Sequence, residues 1–140
     1  MENMPDFELR QIGVVRSSLK NRLDCPFQEK EGAPEAWIEI DPLYAKGLYG
    51  LRPGDEIIVL TWLHLGNRDT LQVHPRGNPK NPLKGVFATR SPSRPNPIGF
   101  HQTRIINLDQ PLKIKVQALE VVDKTPVIDI KSVIRKNLKF

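Results

Sequence analysis

Apolar and polar positions along the 140-residue chain follow short, interrupted patterns rather than long helical ones. Glu8 to Arg16 carries Leu9, Ile12, Val14 and Val15 and reads as a first strand leading into Ser17-Ser18. Residues 17–34 mix charges with Gly32 and two prolines and have no period, so they are expected to form a long loop. Ala36 to Ile40 alternates Ala36, Ile38 and Ile40 against Trp37 and Glu39, the pattern of a half-buried strand. Asp41-Pro42 then reads as an N-cap with proline at the first helical position, opening a short helix to about Leu48.

Pro53-Gly54-Asp55 is a turn signal before a strand over Glu56 to Leu65. Its run from Ile57 to Leu63 is apolar on both faces and predicts a central strand. Thr70 to His74 is expected as a short partner strand and Gly85 to Thr89 as another, followed by a loop from Arg90 to Pro97. Ile98 to Leu108 and Leu112 to Val122 are two further strands joined by a turn at 107–111. Asp123-Lys124-Thr125-Pro126 is a turn, and Val127 to Ile134 is a short apolar end piece. Many short strands and at most one or two short helices predict a mostly-β, single-domain small barrel spanning 1–140, with a frayed tail from about 132.

Composition supports that picture and removes other classes. Thirteen prolines are about 9% of the chain, against the usual ~5%, and each fixes φ and removes a donor, which disfavours long helices. Ile57 to Leu60 is the longest apolar run, far below the ~20 residues of a membrane span. No apolar signal core follows Glu2, Asp6, Glu8 and Arg10, so neither a membrane protein nor a Sec-exported one is expected. The single cysteine, Cys25, makes a disulfide or a structural zinc site unexpected and suits a reducing cytoplasm.

Lysine and arginine number 21 against 16 acids, a net charge of +5. The placement is more informative than the sum. Between Asp69 and Asp109 there is no acid, while Arg76, Lys80, Lys84, Arg90, Arg94 and Arg104 lie there with His74 and His101. Six prolines share this stretch, which therefore holds its cations in fixed positions suited to phosphates or a carboxylate. The closing stretch with Lys131, Arg135, Lys136 and Lys139 reads as a solubilising end. No G-x-G-x-x-G, P-loop, H-E-x-x-H or G-x-S-x-G pattern is present, so common nucleotide, metal and serine-hydrolase signatures are missing.

Residues 85–99, GVFATRSPSRPNPIG, place two arginines among three prolines with Ser91, Ser93 and Asn96 between them. A loop stiffened in this way has a lower ordering cost on binding a ligand. Together with Ile12-Gly13-Val14-Val15-Arg16-Ser17 at the start and Asp123, Thr125-Pro126-Val127 and Asp129-Ile130-Lys131 at the end, this block resembles the TsaA-like family over nearly the whole chain. Characterised enzymes of that family methylate N6 of threonylcarbamoyladenosine in the tRNA anticodon loop with S-adenosylmethionine. The resemblance implies a dimerising single-sheet β-barrel with the cofactor near the subunit interface.

Carried over by position, it places Arg90 and Arg94, Asn96, Pro97, Gly99 and Phe100 against the cofactor, with Asp123, Lys124, Thr125 and Pro126 lining the same pocket. The loop at Pro26, Phe27 and Gln28 joins them, as do His64 and Leu65, where relatives often show a His-Gln pair. Lys124 stands in for the usual glycine of that turn, Phe27 for an arginine of some relatives, and Ser132-Val133 for Pro-Tyr. Longer bacterial relatives carry a further C-terminal domain outside the span of these residues.

Methyl transfer demands alignment of nucleophile, methyl and sulfur. In this reading Arg90 holds the cofactor carboxylate, and His64 and Asp129 are the candidate bases, an end-cap role being the alternative for Asp129. Arg76, Lys80, Lys84 and Arg104 grip RNA phosphates, and no metal is called for. A non-catalytic RNA-binding barrel and a methyltransferase acting on a small molecule are the competing readings.

Overall fold

The computed structural model describes residues 6–19 and 34–133. The expected loop around Pro26, Phe27 and Gln28, Cys25 and the tail beyond Val133 lie outside the described residues. The strands are β1 (Gly13–Arg16), β2 (Ala36–Ile40), β3 (Glu56–Trp62), β4 (Gln72–Val73), β5 (Lys84–Gly85), β6 (Ile98–Asn107), β7 (Lys113–Val116) and β8 (Pro126–Ser132). Six of them close on themselves in the order β1-β2-β7-β6-β3-β8, and β4 pairs with β5 as a separate ribbon. Every pairing is antiparallel.

Closure places one face of each strand inside. Val15, Ile38, Ile57, Val59, Ile114, Val116 and Val127 are fully buried and make the core, with Ile105 and Leu119 beside them. Burying such aliphatic side chains contributes ~1.5–3 kcal/mol each. One end of the ring departs from this rule. In the β3–β6 register, Ile57 faces Thr103, Val59 faces His101 and Thr61 faces Gly99, so the inward residues turn polar toward Gly99.

Most expected elements are present, with four differences. The 42–48 segment caps as expected, Asp41 accepting from the Leu43 backbone N–H at 2.9 Å, but it winds as a 3-10 helix broken at Tyr44. Gly85 to Thr89 is not a strand. Only Lys84–Gly85 pairs, and Val86–Ala88 turns as a 3-10 segment, because Val86 is buried while Phe87 faces solvent and the Thr89 hydroxyl donates back to the Val86 carbonyl. The 112–122 strand stops at Val116; beyond it Leu119, Val121 and Val122 run irregularly, their side chains buried. Ladder pairing of β1 begins only at Gly13, and Phe7 and Leu9 are exposed. The two-sided apolar strand β3 has a buried inner face and a half-buried outer one.

Candidate functional site

The polar end of the ring opens into a wide groove of about 1680 Å³. It runs from the outer face of β6 across the 63–66 and 88–96 loops to the 120–125 segment. Small-molecule sites typically enclose ~300–1,000 Å³, so this surface has room for a cofactor and a larger body beside it.

The 88–97 loop is a self-bonded structure. The Ser91 N–H donates to the Thr89 hydroxyl at 3.2 Å, and the Ser93 N–H to the Ser91 hydroxyl at 3.1 Å. Arg94 Nη1 donates to the carbonyls of Thr89 and Ser91 at 3.1 and 3.0 Å. A second arginine staples the loop to β3: Arg68 Nε donates to the Pro95 carbonyl at 2.7 Å and Nη2 to Asn96 Oδ1 at 3.1 Å, with its guanidinium 5.1 Å from the Trp62 ring centroid. The Pro97 carbonyl accepts from the Leu63 N–H at 2.7 Å. Gly66 completes the joint, since a Cβ there would collide with the Pro92 carbonyl.

Arg90 is held differently. Its guanidinium lies 4.9 Å from the Phe100 ring centroid, and among the described residues no hydrogen bond or ion pair takes up its donors. The loop therefore spends two arginines on its own shape and presents a third. Sequence reasoning singled out Arg94 as a ligand contact; the structure gives its Nη1 a scaffolding task. Arg68, which does the same work from the segment after β3, is not singled out by the sequence, because nothing in its Asn-Arg-Asp context marks it.

Beneath the loop, Thr61 Oγ1 and His101 Nε2 are 2.8 Å apart and both side chains are buried. Of the four candidates at the 123–126 turn, Thr125 lines the groove and Asp123, Lys124 and Pro126 do not. The Asp123 carboxylate accepts from the Ser17 N–H at 2.9 Å, and the Lys124 N–H donates to the Val15 carbonyl at 2.7 Å. Thr125 is buried, lines the groove and donates its hydroxyl to the Val122 carbonyl at 2.7 Å. Pro126 opens β8. Lys124 has φ of 71°, the left-handed region that glycine takes freely.

The remaining expected residues divide. His64, Leu65, Asn96, Gly99 and Phe100 line the groove; Pro97 is buried under it. Asp129 does not line it: its carboxylate sits 3.0 Å from Lys131 Nζ and accepts from the Ile130 N–H at 2.9 Å. Arg76 and Lys84 line the groove, whereas Lys80 does not. Arg104 lines it too, but its guanidinium bonds the Gly54 carbonyl at 2.8 Å and Glu56 Oε1 at 2.6 Å. His101, Thr61 and Arg68 are the residues that sequence alone left unassigned. Among the described residues no cluster of three or more His, Cys, Asp or Glu could hold a metal ion, and no helix is long and apolar enough to cross a membrane.

A small antiparallel ring with a basic, loop-built groove at one end defines a ligand-binding β-barrel without a Rossmann nucleotide site. The chain belongs to the family of the tRNA-methyltransferase O N-terminal domain, whose model matches residues 14–137. Among its relatives is a probable S-adenosyl-L-methionine-binding protein of Methanothermobacter thermautotrophicus, 42% identical over 130 residues that cover 91% of this chain and 92% of that one. An S-adenosyl-L-methionine-binding protein of Archaeoglobus fulgidus is 42% identical over 123 residues, 88% of this chain and 86% of that one. The fold is similar to the crystal structure of TrmO from Pseudomonas aeruginosa, with a TM-score of 0.71 at 23% identity, covering 96% of this chain and 61% of that one. The chain thus spans about three fifths of the solved TrmO structure and nearly all of the two archaeal relatives.

Proposed function

We propose that this chain is an S-adenosylmethionine-dependent methyltransferase acting on tRNA, with N6 of threonylcarbamoyladenosine in the anticodon loop as the acceptor. One observation carries the reading: a loop braced by Arg68 and Arg94 presents Arg90 with its guanidinium donors unspent beside a groove larger than a small-molecule site. The residues fit the cofactor. Arg90 offers a charge-assisted, bidentate partner for its carboxylate. The Asn96–Phe100 backbone and Thr125 at the groove wall supply the neutral groups for adenosine, and Gly99, having no Cβ, lets the buried Thr61–His101 pair pack directly against that backbone.

When bound, S-adenosylmethionine supplies an electrophilic methyl on a sulfonium. The chain's own work is alignment, because a held near-attack geometry replaces an improbable encounter. Methylation of N6 would require the N6 proton to leave. His64, exposed at the groove wall just beyond β3, takes it in this mechanism. Asp129 is set aside for this step because its carboxylate is engaged by Lys131 outside the groove. Arg76 and Lys84 hold backbone phosphates.

Calorimetric titration of S-adenosylmethionine tests the reading first. Wild-type binding that Arg90→Ala weakens by ~1.5–3 kcal/mol, the contribution of hydrogen bonds to a charged group, supports it. Methyl transfer is then followed on tRNA bearing or lacking threonylcarbamoyladenosine. Folded wild-type protein that binds tRNA but no cofactor would make the chain a non-catalytic RNA-binding barrel instead. Activity on a small acceptor, with no steep loss at raised salt, would assign the small-molecule alternative.

A further inference from the structure

Residues 74–81, HPRGNPKN, lie between β4 and β5 and close on themselves. Asn81 is the hub. Its side-chain amide donates to the Pro75 carbonyl at 2.7 Å, its N–H donates to the Asn78 carbonyl at 2.9 Å, and its own carbonyl is 2.8 Å from His74 Nδ1. Asn78 Oδ1 accepts from the Lys80 N–H at 3.0 Å, and the Gly77 N–H donates to the His74 carbonyl at 3.0 Å. Within this frame Arg76 has φ of 58°, a left-handed conformation that glycine adopts freely and arginine does not. Residues in such a conformation persist only where their surroundings over-determine them, and they concentrate at ligand clamps.

The charge of the loop is one-sided. Arg76, Lys80 and the neighbouring Lys84 are exposed, and there is no acid between Asp69 and Asp109. The ion pairs among the described residues, Arg16–Glu39, Arg104–Glu56, Lys115–Glu35 and Lys131–Asp129, leave Lys80 and Lys84 out. The loop also straddles the rim of the groove: residues 74–77 belong to its lining, and residues 78–83 lie outside that lining. Apart from its prolines the loop carries no apolar side chain. Protein interfaces are centred on aromatic or aliphatic anchors, whereas fixed cations without such an anchor suit a phosphate backbone. The occupant is therefore RNA rather than a second copy of the chain.

We infer that the 74–81 loop is a second RNA contact, a preshaped clamp on phosphates that flank the acceptor segment, with Arg76 at the groove rim and Lys80 outside it. This deepens the tRNA reading above and rests on it. An acceptor nucleoside held in the groove gives Lys80 nothing to meet, whereas a hairpin carries its backbone on past the rim. Fixing the backbone that bears these cations lowers the ordering cost of binding.

The test uses the full chain and two fluorescent RNAs, an anticodon stem–loop hairpin and its loop sequence alone as a single strand, with affinities measured over a series of salt concentrations. Each phosphate contact contributes a slope of about 0.7–0.9 in log affinity against log salt, or about 5- to 8-fold in affinity at ~0.1 M salt. Lys80→Ala is expected to lose that slope and affinity for the hairpin and to bind the single strand within about twofold of wild type. Lys80→Arg keeps the charge and should bind the hairpin within about twofold of wild type. Arg76→Gly suits the left-handed backbone and so spares the shape of the loop, and it should lose the same slope with both RNAs. Lys46→Ala, on the 42–48 segment outside the groove lining, should change neither. Unchanged hairpin affinity and slope in Lys80→Ala with a wild-type Tm overturns the clamp while the tRNA reading stands, and light scattering then shows whether a second copy occupies the loop. An equal loss on the single strand overturns the clamp by placing Lys80 in the groove, and an equal loss in Lys46→Ala overturns it by reducing the effect to net charge. Absence of binding of either RNA by the wild type overturns the tRNA reading and the clamp together.

Discussion

Gly99→Ala is the sharpest probe of how the site is supported. Gly99 faces Thr61 in the β3–β6 register, and directly beneath them Thr61 Oγ1 bonds His101 Nε2 at 2.8 Å. A methyl on Gly99 would collide with Thr61 Oγ1, fall 2.6 Å from His101 Nε2 and meet Leu63 Cγ at 3.1 Å. None of these groups lies at the free end of a long flexible chain, so the methyl can enter only by wedging the hydrogen bond apart. Overpacking of this kind costs ~1–3 kcal/mol, and leaving the buried hydroxyl and imidazole unsatisfied costs another ~1–3 kcal/mol. The sum of about 2–6 kcal/mol corresponds to a fall in Tm of roughly 6–24 °C for a chain of this size. Urea unfolding with an unchanged slope reads the loss directly. Adding Thr61→Ala removes the nearer of the two clashing atoms and the hydrogen bond that holds His101 against the other, so the double variant should be at least ~1 kcal/mol more stable than additivity allows. A Gly99→Ala protein within ~0.5 kcal/mol of wild type, or strict additivity in the double variant, would refute this account of why glycine occupies the position.

The other expectations concern charge and strain. Lys124→Gly should stabilise by ~0.5–1 kcal/mol, the left-handed penalty of ~1–2 kcal/mol being partly offset by glycine's unfolded-state entropy; a lower urea midpoint would contradict it. Arg94→Lys keeps the charge but loses the planar fork that holds the Thr89 and Ser91 carbonyls, so loop amides from Ser91 to Asn96 should exchange faster and cofactor affinity should drop about tenfold. Unchanged exchange would remove Arg94 from the scaffold. Arg104→Ala should cost under ~1 kcal/mol, as for an exposed ion pair, while Glu56→Gln should raise RNA affinity a few-fold by removing an acid from the groove; a fall in affinity would show that the Arg104–Glu56 pair itself is recognised.

The sequence disclosed the parts of this molecule that repeat and hid those that depend on long-range partners. Alternation marked β2 to the residue, since Ala36, Ile38 and Ile40 point into the core and Trp37 and Glu39 away from it. The proline-rich block marked a rigid loop for the same local reason: proline sets φ wherever it stands. Where the pattern was equally apolar but the partner was not a strand, the reading failed. Val86 to Thr89 turns because one buried valine and a hydroxyl bond fix it, and Leu119 to Val122 pack irregularly, without a ladder. Arginine was the hardest case. Arg68, Arg90 and Arg94 look interchangeable as cations near one loop, yet two bond carbonyls of that loop and one rests on a ring with its donors open. What separates them is the distance in space to acceptors 3 to 28 residues away, which the cationic residue type alone does not encode. The loop's cations were legible, and their division of labour required the fold: a guanidinium whose acceptors are already met serves as structure, and one left over a ring is available to a ligand.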